Sequence, residues 1–187
     1  MMKNSLMLVV ILCLCSGVSL YGVSVHSLGL KLDLRGNHEF SGTGGSEEYD
    51  VEKGSGLSFV FESLSDQHEW AFGFGFEFFK PHEIDVDNSD PAFSFLPLYF
   101  IISTAPDGAA VFSGHFGYSI SFTGNGDYKG DAELSGGIYT GVGIGHYFEH
   151  ARIELRYSLY QGEAEYEGLG EINVTQREFS FVVAFLF

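Results

Sequence analysis

Eight of the charged residues in this 187-residue chain occur in one repeated setting. Lys31 and Asp33 stand two apart, as do Arg152, Glu154 and Arg156, while Glu62, Glu77 and Glu178 lie in runs where large apolar residues alternate with small or polar ones. Residues two apart share a face of a β-strand, so each run carries charge on one side and Leu, Ile or Phe on the other. Charges that meet in an enclosed space must pair or be watered, because an unpaired buried ion costs roughly several kcal/mol. The set supports two readings, an ion-pair plug that holds an interior shut or the polar lining of a narrow, gated path. Arg35 belongs to the same candidate set, and His115 falls among these groups as part of the same network.

Catalysis and metal binding are weaker candidates. A base and a nucleophile on one strand face would take the form His-x-Ser. That step is absent: His26 is followed by Ser27 and Leu28, His115 by Phe116 and Gly117, His146 by Tyr147 and Phe148. Asp85-Val86-Asp87-Asn88-Ser89-Asp90 is similar to the start of a calcium loop but lacks its Gly at position six, and Leu96 stands at position twelve where a Glu is needed. No enzyme activity, cofactor or metal is expected. The net charge of −16 offers no basic stripe to meet phosphates, which argues against nucleic acid as a partner.

The elements that carry these charges read as strands. The alternation runs from Val25 to Arg35, Leu57 to Ser63, Trp70 to Phe78, Ala92 to Ser103, Phe112 to Phe122, Ile138 to Tyr147, Arg152 to Tyr160 and Phe179 to Phe187. That makes eight. Connections after the second, fourth and sixth strands are short (64–68, 104–108, 149–150). Those after the first, third, fifth and seventh are long (36–56, 80–91, 123–133, 161–171). Strict alternation of short and long loops predicts an all-β, eight-stranded antiparallel up-and-down barrel rather than a Greek-key sandwich. The apolar faces would meet lipid, since segments of about ten alternating residues suit tilted membrane strands. Closure follows, because every backbone group in hydrocarbon must be paired. The longest apolar run after the N-terminus, Phe93 to Ile102, is too short for a spanning helix and carries Pro97.

The N-terminus reads as an export signal: Lys3, then an apolar run from Leu6 to Cys15, then small and polar residues. Residues 1–24 are therefore expected to be removed, with cleavage between about Ser19 and Ser24, leaving the barrel as 25–187. Cys13 and Cys15 both fall inside this segment, so stability must come from elsewhere than disulfides. The four long loops hold 16 acidic residues, among them Glu47, Glu48, Asp50, Glu83, Asp85, Asp87, Glu163, Glu165 and Glu167. They read as a solvated surface, or as one that meets cations or basic molecules.

A strand closing on Phe185 and Phe187 with nothing after it resembles the C-terminal assembly signal of bacterial outer-membrane barrels. Leu96-Pro97-Leu98-Tyr99-Phe100, Gly136-Gly137-Ile138-Tyr139-Thr140-Gly141-Val142-Gly143-Ile144-Gly145 and Leu155-Arg156-Tyr157-Ser158 are similar to phrases of the small OmpA/OmpX/OmpW-like outer-membrane proteins. The resemblance implies a bacterial outer-membrane location, surrounding lipid, recognition of the last strand by the barrel assembly machinery, and a monomer. The strand from Ala92 to Ser103 departs from the pattern, with apolar residues on both faces. Leu96, Leu98, Phe100 and Ile102 are expected to line an apolar lumen there. Likeness to OmpW-type proteins implies that such a lumen would pass small hydrophobic molecules. Pro97 predicts a bulge or local opening in the same strand. A wide porin is excluded, since an aqueous channel needs about sixteen strands. A continuous apolar chamber would mark a conduit, whereas a lumen packed with Arg and Glu would mark a surface-displaying anchor.

Overall fold

A computed structural model describes residues 24–42, 45–50, 56–67, 70–79, 93–104, 110–123, 132–166 and 170–187. The expected export signal and the Asp85–Asp90 stretch lie outside these residues, as do several of the acidic loop positions. The strands are β1 (Ser24–Gly42), β2 (Gly45–Asp50), β3 (Leu57–Gln67), β4 (Trp70–Phe79), β5 (Phe93–Thr104), β6 (Ala110–Thr123), β7 (Ala132–Phe148), β8 (Ala151–Tyr166) and β9 (Gly170–Leu186).

Each strand pairs antiparallel with its neighbours, and β1 pairs with β9 to close the sheet. The inner half of β1 pairs with β3 (Ser24–Leu32 against Ser65–Leu57) and its outer half with β2 (Asn37–Gly42 against Asp50–Gly45). β2 and β3 thus occupy the same position around the wall, and the barrel has the eight staves that the alternation predicts. Both described chain ends, the last residues of β3, β5 and β7 and the first of β4, β6 and β8 gather at one rim, called here the turn end. The opposite rim is the loop end.

Parity sorts the side chains as the alternation requires. Leu28, Leu30 and Leu32, Phe72 and Phe78, Phe112 and Phe116, Val142 and Ile144, and Phe179, Phe185 and Phe187 are exposed on the outer face. Between them the inward positions hold serines, glycines, tyrosines and the charges.

Two differences from the sequence reading have physical causes. β1, β7, β8 and β9 run well past their apolar stretches, so that parts of the expected loops 36–56, 123–133 and 161–171 are hairpin ladder. For example, Glu163 pairs with Asn173 and Glu165 with Glu171. Backbone hydrogen bonds do not depend on apolar side chains, and apolar periodicity reports only the banded middle of a strand. The second difference is Arg35. The β1–β9 register shifts between Asp33 and Arg35, leaving Leu34 as an extra residue. Such a bulge breaks the two-residue repeat, so Arg35 lies exposed rather than in the lumen.

A charged lumen as the candidate functional site

The eight sequence-predicted charges meet inside the barrel, and they are the only buried Lys, Arg, Asp and Glu among the described residues. Lys31 on β1 reaches Glu77 on β4 at 2.8 Å, contacts Glu178 on β9, and stands 3.7 Å from Asp33. Arg156 on β8 bonds Glu62 on β3 (2.9 Å), Glu77 (2.8 Å) and Glu154 (2.8 Å). Arg152, one step nearer the turn end, contacts Glu62 and lies 3.4 Å from Glu154. Arg156 therefore bridges three strands with one rigid, multi-donor head, a geometry for which a lysine would be no substitute.

Carboxylates outnumber the cations by five to three in this set. Tyrosine hydroxyls supply the missing donors. Tyr99 donates to Glu62 (2.8 Å) and Tyr139 to Glu77 (3.2 Å), while the single Tyr160 proton stands between Glu178 (2.6 Å) and Glu77 (3.1 Å). Gln176 adds a bond to Glu178 at 2.9 Å. A low-dielectric interior strengthens a satisfied network and punishes a half-satisfied one. Sequence reasoning missed the tyrosines as network members, although Tyr139 and Tyr160 share the parity of the small and charged residues on their strands; Tyr99 fell on the face read as outward. Gly75 makes room for this packing: a Cβ there would stand 2.6 Å from the Tyr99 ring.

Serine, histidine and a carboxylate also meet here. The sequence carries Ser113-x-His115, the reverse of the order considered above. Ser113 Oγ lies 3.0 Å from His115 Nε2 and donates to Glu154 at 2.9 Å. Glu154 is 3.6 Å from the same Nε2, while Nδ1 has no hydrogen-bond partner. A relay needs the acid on the imidazole nitrogen remote from the nucleophile. Here the serine and the carboxylate crowd the same nitrogen, and Glu154 is already engaged by Arg156.

The apolar lumen assigned to Leu96, Leu98, Phe100 and Ile102 requires correction. These residues have the outward parity of β5; Phe100 is 61% and Ile102 43% exposed. Phe95, Tyr99, Ile101 and Ser103 point inward instead. With both faces apolar, the strand gave no contrast from which to choose. Leu98 and Phe100 do come together with Phe61, Phe76, Phe116 and Tyr118, around a recess of about 430 Å³ on the outside of the wall.

The wall itself is uneven beside that recess. The β4–β5 ladder runs from Trp70↔Thr104 to Phe76↔Leu98 and stops there. The next residue of β5 is Pro97, which has no N–H to donate. Phe93 to Pro97 keep their pairing with β6, and Glu77 to Phe79 keep theirs with β3. Phe187, the expected assembly signal, exchanges two backbone bonds with His26 (2.9 and 3.0 Å) and rests its ring against the imidazole. Phe185 is exposed beside it in the β1–β9 ladder.

No protein-family model matches the chain, and no curated protein matches it. Solved structures of the same architecture do. Neisserial surface protein A (NspA) is 13% identical with a TM-score of 0.55, the match covering 88% of this chain and 99% of that one. The outer membrane protein OprG from Pseudomonas aeruginosa is 14% identical with a TM-score of 0.50, covering 89% and 97%. The outer membrane protein AlkL, solved in DMPC lipid bilayers, is 11% identical with a TM-score of 0.50, covering 89% and 92%. At such identities the likeness is one of fold, and the fold of this chain is the closed eight-stranded antiparallel barrel of small outer-membrane proteins.

Proposed function

We propose that the chain is an integral protein of a bacterial outer membrane, non-catalytic and monomeric, whose barrel is a closed stem displaying acidic segments at the loop end. The observation that carries this reading is the lumen network. Guanidinium, ammonium, carboxylate and tyrosine groups from seven of the eight staves, with Ser113 and His115 from β6, meet across the lumen, which suits an anchor better than an apolar chamber. The exposed outer face, apolar from β1 to β9, supports burial in outer-membrane lipid. The C-terminal strand ending on Phe187 supports recognition by the barrel assembly machinery. Single-channel recording of the refolded barrel in a planar bilayer tests the closed stem. Silence with insertion confirmed is the expected result, and regular openings of porin size would overturn it.

A second reading, a narrow conduit or binding site for small hydrophobic solutes, is favoured by one observation: the β4–β5 ladder stops at Leu98, beneath Pro97. A solute entering at the loop end could leave sideways through that unladdered stretch without crossing the charged layer. Solute uptake by vesicles carrying the barrel tests this route. Uptake abolished by a disulfide engineered across Phe78 and Leu96, the next outward pair in the register, would support it, and uptake equal to that of empty vesicles would end it.

A further inference from the structure

The recess on the outer wall is bounded by two rows of side chains that follow the register. The row nearer the turn end is Ser63, Phe74, Phe100 and Phe116, and the row above it is Phe61, Phe76, Leu98 and Tyr118. Ser63 is the odd member. Where the other three strands place phenylalanine, β3 places a hydroxymethyl group, and the missing ring opens the hollow. Ser63 is 2% exposed, yet its hydroxyl has no hydrogen-bond partner. Its register partner on β1 is His26, whose Nδ1 is also unpartnered.

The depth of this serine limits what can satisfy it. Ser63 stands four residues from Gln67, the partner of Trp70 at the turn end. At about 3.3 Å per residue and about 40° of tilt, it lies about 10 Å above that rim. In a membrane that level is hydrocarbon, where water is not available to pair a hydroxyl. The ester oxygens of a phospholipid belong to the interfacial zone below it. A recess of about 430 Å³ is of ligand-pocket size, and apart from this serine its lining is phenylalanine, leucine, glycine and two tyrosines, of which Tyr99 turns its hydroxyl to Glu62.

We infer that the recess is a binding site for one hydroxylated acyl chain, its hydrocarbon lying between the two rows and its hydroxyl bonded to Ser63. The inference rests on the membrane reading above. It relocates the ligand contacts expected of Leu98 and Phe100 from the lumen to the outer wall. A plain acyl chain fills the same hollow but leaves Ser63 unsatisfied, so discrimination between the two chains is the signature of the site.

The test uses the barrel in phospholipid nanodiscs and two photoreactive probes, a hydroxystearic acid and a stearic acid that each carry a diazirine, with crosslinks mapped by mass spectrometry. Saturable labelling at Phe61, Phe76 and Tyr118 is expected, with the hydroxylated probe favoured by about fivefold, the affinity worth of one hydrogen bond. Ser63→Ala should erase the preference while leaving labelling. Leu98→Trp should block both probes, and the heat-dependent shift in gel mobility shows that each variant is folded. Labelling that spreads around the whole belt without saturating would overturn the site, as would a preference that survives Ser63→Ala. Failure of the folded barrel to enter nanodiscs at all would sink the membrane reading as well, and so is distinguishable from either.

Discussion

Two seams of the barrel are built by opposite means. The closing seam, β1 against β9, joins the most distant parts of the chain, and its ladder runs from Ser27 to Ser41 with a single bulge. The β4–β5 seam joins consecutive strands, and its ladder covers only Trp70 to Phe76. Loop-closure entropy makes the distant pairing the more expensive to form. That seam is also reinforced from three directions: the Lys31–Glu178 contact within the lumen, the long backbone ladder, and the Phe187–His26 exchange at the rim. The local seam can be left short because its neighbours hold it in place. Interruption is thus tolerated where connectivity is cheap, and that is also where the outer recess lies.

The contrast can be broken most sharply from inside. Lys31→Met leaves Glu77, Glu178 and Asp33 short of a cation, and removing one partner of a buried ion pair costs about 3–5 kcal/mol. A large fall in the urea midpoint of the membrane-inserted barrel is expected, read from Trp70 fluorescence. A variant as stable as the parent would mean that the network does not brace the closing seam. Deleting Phe187 removes two backbone bonds and a ring contact, for a loss of about 1–3 kcal/mol, and should lower the yield of assembled barrel. Normal assembly would detach the C-terminal residue from closure. Gly29→Ala attacks the same seam from the backbone, since its Cβ would meet the Val183 carbonyl at 2.7 Å and the Ala184 methyl at 2.8 Å. Overpacking of this kind costs about 1–3 kcal/mol. The smallest effect is expected at the other seam, with the opposite sign. Pro97→Ala restores a donor and should stabilise by about 0.5–1.5 kcal/mol. It should also slow hydrogen exchange at Phe95 and Leu96, and unchanged exchange would show that the ladder ends there for another reason.

Much of this was legible in the sequence, for one reason. A barrel wall has two faces with opposite solvents, so the parity of each residue carries nearly all the information. Parity placed Lys31, Asp33, Glu62, Glu77, Arg152, Glu154, Arg156 and Glu178 together without any knowledge of distance. It failed where the repeat was broken or carried no contrast. The bulge at Leu34 turned Arg35 outward, and β5, apolar on both faces, concealed which side held Leu98 and Phe100. The polar hairpin ends of β7, β8 and β9 were read as loops because ladder pairing continues where apolar residues cease. Tyr139 and Tyr160 were on the right face but carry no formal charge, so nothing marked them as donors to the carboxylates, and Tyr99 was concealed with the rest of β5. His115 was placed in the network, but Ser113 beside it escaped notice through the order of the two residues alone.

The lumen network has a consequence for how the barrel comes into being. Its members come from β1, β3, β4, β5, β6, β7, β8 and β9, and Glu77 alone takes bonds from Lys31, Tyr139, Arg156 and Tyr160. Among the described residues, the staves from β1 to β5 hold Lys31 as their single buried cation against Asp33, Glu62 and Glu77, and Glu62 there lacks the two arginines of β8. A fragment of these first staves entering the bilayer would carry Glu62 into hydrocarbon without a guanidinium, whereas in the complete cylinder Arg152 and Arg156 both meet it. For the Glu62 end of the network, insertion is thus less costly once β8 has joined the sheet, so that the guanidiniums and the closing ladder arrive with the same two strands.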